Sequence, residues 1–201
     1  MSTIIKADTL KAGLAELTGA FFLTLAALLS GTPYAVALTL AAFVYAIGNI
    51  SGCHINPAVT VGLVAARRLP ILTGLLYVYA QVMGALLARV VAPYAGALPA
   101  QYHAASPVGE MLGAGFLILT VVAVSDKYVP KAGSGIAIGA ALAAGLVTSG
   151  GILNPAVAVA MGLAFSPATW ATLLSGVGFA LLWRCIAPKD APKPEAAPAQ
   201  G

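Results

Sequence analysis

Six runs of about twenty residues, each apolar almost throughout, leave this chain very few folds. Coiled as an α-helix, a run of that length matches the hydrocarbon thickness of a bilayer. The runs fall at 10–30, 33–51, 71–92, 108–125, 132–149 and 168–187. Soluble domains carry ~25% charged residues and ~45–50% apolar ones, whereas these 201 residues are 8% charged and 60% apolar. A mean hydropathy of +0.96 points the same way. A soluble or disordered domain is therefore excluded up to residue 187, and no room remains for a separate soluble enzyme domain. A transmembrane β-barrel would alternate polar and apolar residues, and these runs do not.

The net charge of +4 is spread along the chain and forms no basic face, so no nucleic-acid partner is expected. Cys53 and Cys185 make neither a disulfide framework nor a metal spacing. The first apolar run lacks a small-residue cleavage site after a short core, so it reads as a retained helix rather than a signal peptide. Basic residues follow the positive-inside rule. Lys6, Lys11, Arg67, Arg68, Lys127, Lys131, Arg184, Lys189 and Lys193 all fall on one side of a six-span chain. Both termini are then expected in the cytoplasm, with Arg89 as the one exception. Residues 188–201, rich in Pro, Ala, Lys and Glu, read as a disordered tail beyond a channel-like domain at 1–187.

Two apolar segments, 56–67 and 154–165, are too short to span and both begin Asn-Pro-Ala. Ser51-Gly52 leads through Cys53, His54 and Ile55 to Asn56-Pro57-Ala58. Ser149-Gly150 leads through Gly151, Ile152 and Leu153 to Asn154-Pro155-Ala156. Asn is a favoured N-cap and Pro a favoured first helical residue. Glu16-Leu-Thr-Gly19 and Glu110-Met-Leu-Gly113 repeat as well. Each half, about 10–92 and 108–187, thus reads helix, helix, half-helix, helix. Three spans in the first half invert the second. The expected fold is an all-α integral membrane protein: six transmembrane helices plus two re-entrant half-helices in an inverted repeat. Irregular backbone at membrane depth must line a cavity or lie buried in protein. Gly52, Cys53, His54, Ile55, Gly150, Ile152 and Leu153 are therefore expected to line a pore. Asn56 and Asn154 would be donors at its centre, where two half-helix N-termini, each worth about half a positive charge, repel cations.

These motifs resemble those of the aquaporin (major intrinsic protein) family, over about residues 10–187. Ser51-Gly-Cys-His-Ile-Asn-Pro-Ala-Val-Thr60 is similar to the family's first pore loop, and Ala80-Gln81 with Gly84 to its third helix. The resemblance implies a homotetramer in the plasma or inner cell membrane, with one pore per subunit. It implies passive passage of water or small uncharged solutes, without cofactor or catalysis, through an aquaporin-like channel that excludes cations partly by its half-helix dipoles. Glu16 and Glu110 are intramembrane acids, which mark function by default. The resemblance and the repeat favour a structural role, each accepting hydrogen bonds from its pore loop, with Gln81 either supporting a loop or making an ordinary helix–helix bond. The rival reading is a proton-coupled transporter using both acids. A structural membrane protein with a vestigial pore is a further rival.

The sequence departs from the family at the outer pore. Where the family places Arg, three residues after the second Asn, stands Val157. The other constriction positions map to Val36, Gly151 and Leu146, with Leu142 an alternative for the last. The link at Gly31-Thr32-Pro33 is also short. A constriction without Arg, His or aromatic is expected to be wide or greasy and to admit polyols or metalloid hydroxides such as arsenite. Otherwise residues of the first helix or of the 93–107 loop must close it.

Overall fold

A computed structural model describes residues 7–97 and 103–187; the expected tail at 188–201 lies outside them. The elements are α1 (Ala7–Ser30), α2 (Pro33–Ser51), α3 (Pro57–Ala65), α4 (Ile71–Val91), α5 (Pro107–Ser125), α6 (Ser134–Ser149), α7 (Pro155–Ala160) and α8 (Pro167–Ile186). Short 3₁₀ turns, Ala92–Ala95 and Lys131–Gly133, extend α4 and precede α6. No strand occurs among the described residues. Among the described residues, six helices are long and apolar enough to cross a membrane. At 1.5 Å per residue, α3 and α7 reach only about 14 Å and about 9 Å.

Local chemistry sets most boundaries. Thr32 caps α2 through the Ala35 N–H, Pro33 opens the helix, and Gly52 closes it at φ 90°. Gly150, at φ 61°, closes α6 in the same way. The half-helix α7 is shorter than the apolar run 154–165 suggests. Gly162 turns left-handed at φ 81°, and the N–H groups of Gly162 and Leu163 fold back onto Val159 and Ala158. The chain then leaves the helix before the run of apolar residues ends.

The two halves pack alike: α1 on α4 and α5 on α8, with α2 against α6 between them. Each half-helix leans mainly on the last span of the other half, α3 on α8 and α7 on α4. Close approach depends on glycine there. A methyl on Gly62 would sit 2.7 Å from the Gly176 carbonyl oxygen. Outward faces stay apolar, as at Leu38, Ile136 and Leu174, each near 70% exposed. Such faces are stable only against lipid or another subunit.

Charged residues are absorbed at the ends of elements. Arg89 donates Nη1–H to the carbonyl of Ala160. It thereby caps the C-terminus of α7, where a cation also offsets the helix dipole. That contact accounts for the basic residue that departs from the one-sided pattern. At the opposite end Arg68 grips Asp126 through both carboxylate oxygens, at 2.6 and 2.8 Å. Trp183 donates to the same carboxylate at 2.9 Å. The Arg68 hydrogen bond, which outweighs burial, holds the Asp126 carboxyl below the usual carboxylate range.

Candidate functional site

Both loops before the half-helices turn through left-handed backbone. Gly52 (φ 90°), Cys53 (51°) and Ile55 (38°) do so in the first, Gly150 (61°) and Leu153 (56°) in the second. Gly52 and Gly150 still donate to the helices they close, but beyond them the loop N–H groups have no helical carbonyl within reach and need other acceptors. A buried carboxylate supplies them in each half. Glu16 is fully buried. It accepts from Ser51 Oγ (2.6 Å), His54 N (2.9 Å), Ile55 N (2.6 Å) and Gln81 Nε2 (2.7 Å). Glu110 accepts from Ile152 N (2.6 Å), Leu153 N (2.8 Å) and Thr172 Oγ1 (2.8 Å). Gln81 also reaches Thr60 Oγ1 at 2.8 Å, so it braces loop and half-helix together. Ser51 and Ser149 repeat a further contact, accepting from Cys53 N and Gly151 N.

The asparagines cap and cross-link. Asn56 Oδ1 accepts from Ala58 N at 2.9 Å, and Asn154 Oδ1 from Ala156 N at 3.0 Å. The Asn56 amide donates to the Leu153 carbonyl at 2.8 Å, and the Asn154 amide to the Ile55 carbonyl at 2.9 Å. A primary amide carries two N–H donors, so each asparagine keeps one beyond this staple.

Two cavities adjoin these loops. One, called outer after the orientation expected from the basic residues, is about 300 Å³ and has Val36, Leu142, Leu146, Gly151 and Val157 in its wall, with Asn56 and Asn154 at its base. Both candidates for the fourth constriction position, Leu146 and Leu142, face it. Gly150, Ile152, Cys53 and His54 also line it. The inner chamber, about 230 Å³, is lined by Gly52, His54, Asn49, Ser125 and Lys131. His54, Val121 and Ile138 belong to both walls and mark the neck between them. His54 Nδ1 lies 3.2 Å from Thr60 Oγ1, whose single proton goes to the Asn56 carbonyl at 3.1 Å.

Two expected lining residues are corrected. Ile55 and Leu153 are fully buried and absent from both walls. Their positive φ turns the side chains back toward the core, close to Gly19 and to Gly113 and Gly145. Only their carbonyls face the opposite loop. The carbonyls of Gly52, Cys53, His54, Gly150, Gly151 and Ile152 meet no donor among the described residues. A further wall residue was not mapped from the sequence: His103, just before α5, lines the outer chamber. Leu23 and Ala27 of α1 line it too, and Met161 follows α7 there. No local motif marks His103; only its position in the 93–107 loop pointed toward the outer pore.

A family model described as major intrinsic protein matches residues 4–172. Aquaporin AqpM of Methanothermobacter marburgensis is 36% identical over 142 residues, 61% of this chain and 57% of that protein. Aquaporin NIP1-4 of Oryza sativa subsp. japonica is 32% identical over 190 residues, 80% of this chain and 70% of that protein. The chain thus spans little more than half the length of the first of these relatives. An aquaglyceroporin from Plasmodium falciparum, known from an X-ray structure, superposes with a TM-score of 0.69. It is 20% identical, covering 89% of this chain and 96% of that one, and it speaks for the fold.

Proposed function

Because the chain belongs to the major intrinsic protein family, we propose that it is a passive membrane channel for water and small uncharged solutes. The observation that carries this reading is the pair of chambers meeting at stapled loops in which the carbonyls of Gly52, Cys53, His54, Gly150, Gly151 and Ile152 meet no donor among the described residues. A solute there would find acceptors on the loops and one N–H each on Asn56 and Asn154. Val36, Leu146, Gly151 and Val157 would form the outer constriction, with His103 at its mouth. Apolar walls on one side and carbonyls on the other suit a solute with a hydrocarbon face and several hydroxyls. Water, by contrast, loses partners against valine and leucine, at about 1–3 kcal/mol per unmet polar group. Polyols and neutral metalloid hydroxides are therefore proposed beside water.

The rival reading, proton coupling through Glu16 and Glu110, is disfavoured by their partners. Both carboxylates are engaged by backbone N–H groups and side-chain donors, Ser51 and Gln81 at Glu16 and Thr172 at Glu110, and are absent from the chamber walls. The channel reading needs neither cofactor nor catalysis. A homotetramer in the plasma or inner cell membrane, with both termini cytoplasmic, completes the proposal. Stopped-flow shrinkage of proteoliposomes in osmolyte, glycerol and arsenite tests it. Water, glycerol and arsenite should all pass down their gradients at a rate indifferent to an imposed proton gradient, the osmolyte itself staying outside. Passage of water alone overturns the polyol and metalloid part, and proton-driven uptake overturns the channel.

A further inference from the structure

Among the described residues lining either chamber, Lys131 alone carries a formal charge. Its segment is not a loose surface loop. Ser134 Oγ donates to the Lys131 carbonyl at 2.8 Å. The Tyr45 hydroxyl donates to the Ala132 carbonyl at 2.8 Å and accepts from Ile136 N at 3.2 Å. A side chain of α2 thus ties the 3₁₀ turn to the first turn of α6, and Lys131 is held beside the inner chamber. Among the described residues no ion pair cancels its charge. Asp126 adjoins the wall residue Ser125 but is engaged by Arg68 and Trp183. Behind His54 lies the buried Glu16 carboxylate, with no cationic partner of its own.

We propose that Lys131 is a charge-selecting residue of the pore, keeping small cations out of the inner chamber and leaving neutral solutes unaffected. The inference rests on the channel reading above. It assigns to the inner end a fixed positive charge that Val157 does not supply at the outer one. The sign follows from Coulomb repulsion in a vestibule walled by protein. A unit charge within about 10 Å, at an effective dielectric near 20, changes the occupancy of a monovalent cation roughly tenfold. Reversing that charge roughly squares the factor. Such an effect weakens as salt screens the open end of the chamber.

The test uses a cation as a blocker of neutral flux, so the cation itself need not cross. Glycerol and water efflux are measured from proteoliposomes at low ionic strength, with guanidinium chloride titrated on both sides. The proteins are the parent, Lys131→Arg, Lys131→Gln and Lys131→Glu. The half-blocking guanidinium concentration should fall roughly tenfold in the Gln variant and up to about a hundredfold in the Glu variant. Lys131→Arg should match the parent, and several hundred millimolar choline chloride should erase the differences. Neutral flux without guanidinium should be the same in all four. Equal half-blocking concentrations in parent, Gln and Glu variants overturn the proposal, and so does a shift that Arg fails to rescue. Should the Glu variant not insert, the Gln and Arg pair still decides. A parent that conducts neither water nor glycerol overturns the channel reading first, and the role of Lys131 with it.

Discussion

Asn56 and Asn154 hold each other's loops: each gives one amide proton to the carbonyl preceding the other, at 2.8 and 2.9 Å. The two half-helix N-termini are thereby joined across the middle of the protein. Each asparagine also caps its own helix. Replacing either with Leu therefore removes a cap, worth about 1 kcal/mol, and strands a buried carbonyl, at about 1–3 kcal/mol. We expect lower melting temperatures in detergent for both variants and solute flux reduced at least tenfold. The double variant should be less destabilised than the sum of the singles, because both act on one junction. Additive losses would argue against the staple.

Glu16→Gln and Glu110→Gln separate charge from shape. In each, one acceptor oxygen becomes an N–H₂ group facing the donors of Ile55 or Leu153. A penalty of about 1–3 kcal/mol follows, so each variant should melt earlier than the parent. For Glu16, the Gln81 side chain can flip and present its otherwise unpartnered Oε1, which softens the cost. Flux per folded channel should stay independent of the proton gradient in both. A folded Gln variant that loses a gradient-driven uptake present in the parent would sink the structural role.

Val157→Arg adds bulk, donors and charge to the outer wall. Permeability to glycerol and arsenite should fall more than permeability to water, read side by side by stopped flow. An equal loss for all three solutes would mean that Val157 does not set the constriction.

The Arg68–Asp126 pair sets an acid limit. Its hydrogen bond depresses the Asp126 carboxyl below its unfolded value of about 3.9. The stabilisation is therefore present above that pH and lost as pH falls through the lower folded value. With Arg68 35% exposed, solvent screening keeps the pair at about 1 kcal/mol. Asp126→Asn should lower the melting temperature at pH 7, and the gap should close as acid protonates the folded Asp126 carboxyl. A gap between parent and variant that persists in acid would contradict the pairing.

Much of the site was legible because its chemistry is local and occurs twice. Ser-Gly followed by Asn-Pro-Ala encodes a helix stop, a turn and a capped restart within a few residues. Glu16, Glu110 and Gln81 stood out because polar groups are costly in apolar helices unless something uses them. Less legible was the direction of Ile55 and Leu153, whose aliphatic side chains suited a greasy wall as well as a core. Their left-handed backbone sends them into the core and only their carbonyls across the junction. The early end of α7 was hidden in the same way, since Gly162 interrupts an apolar run without changing its composition.

The six spans, the two half-helices and their caps can be read along the chain, because length, hydropathy and N-cap chemistry act between near neighbours. It takes the folded molecule to bring Asn56 to a carbonyl 97 residues away, to close the end of α7 with Arg89, and to set His103 and Lys131 in the walls of opposite chambers. Those contacts depend on how the inverted halves dock, which close glycine packing and buried donor–acceptor matching decide. No local pattern in the chain carries that information.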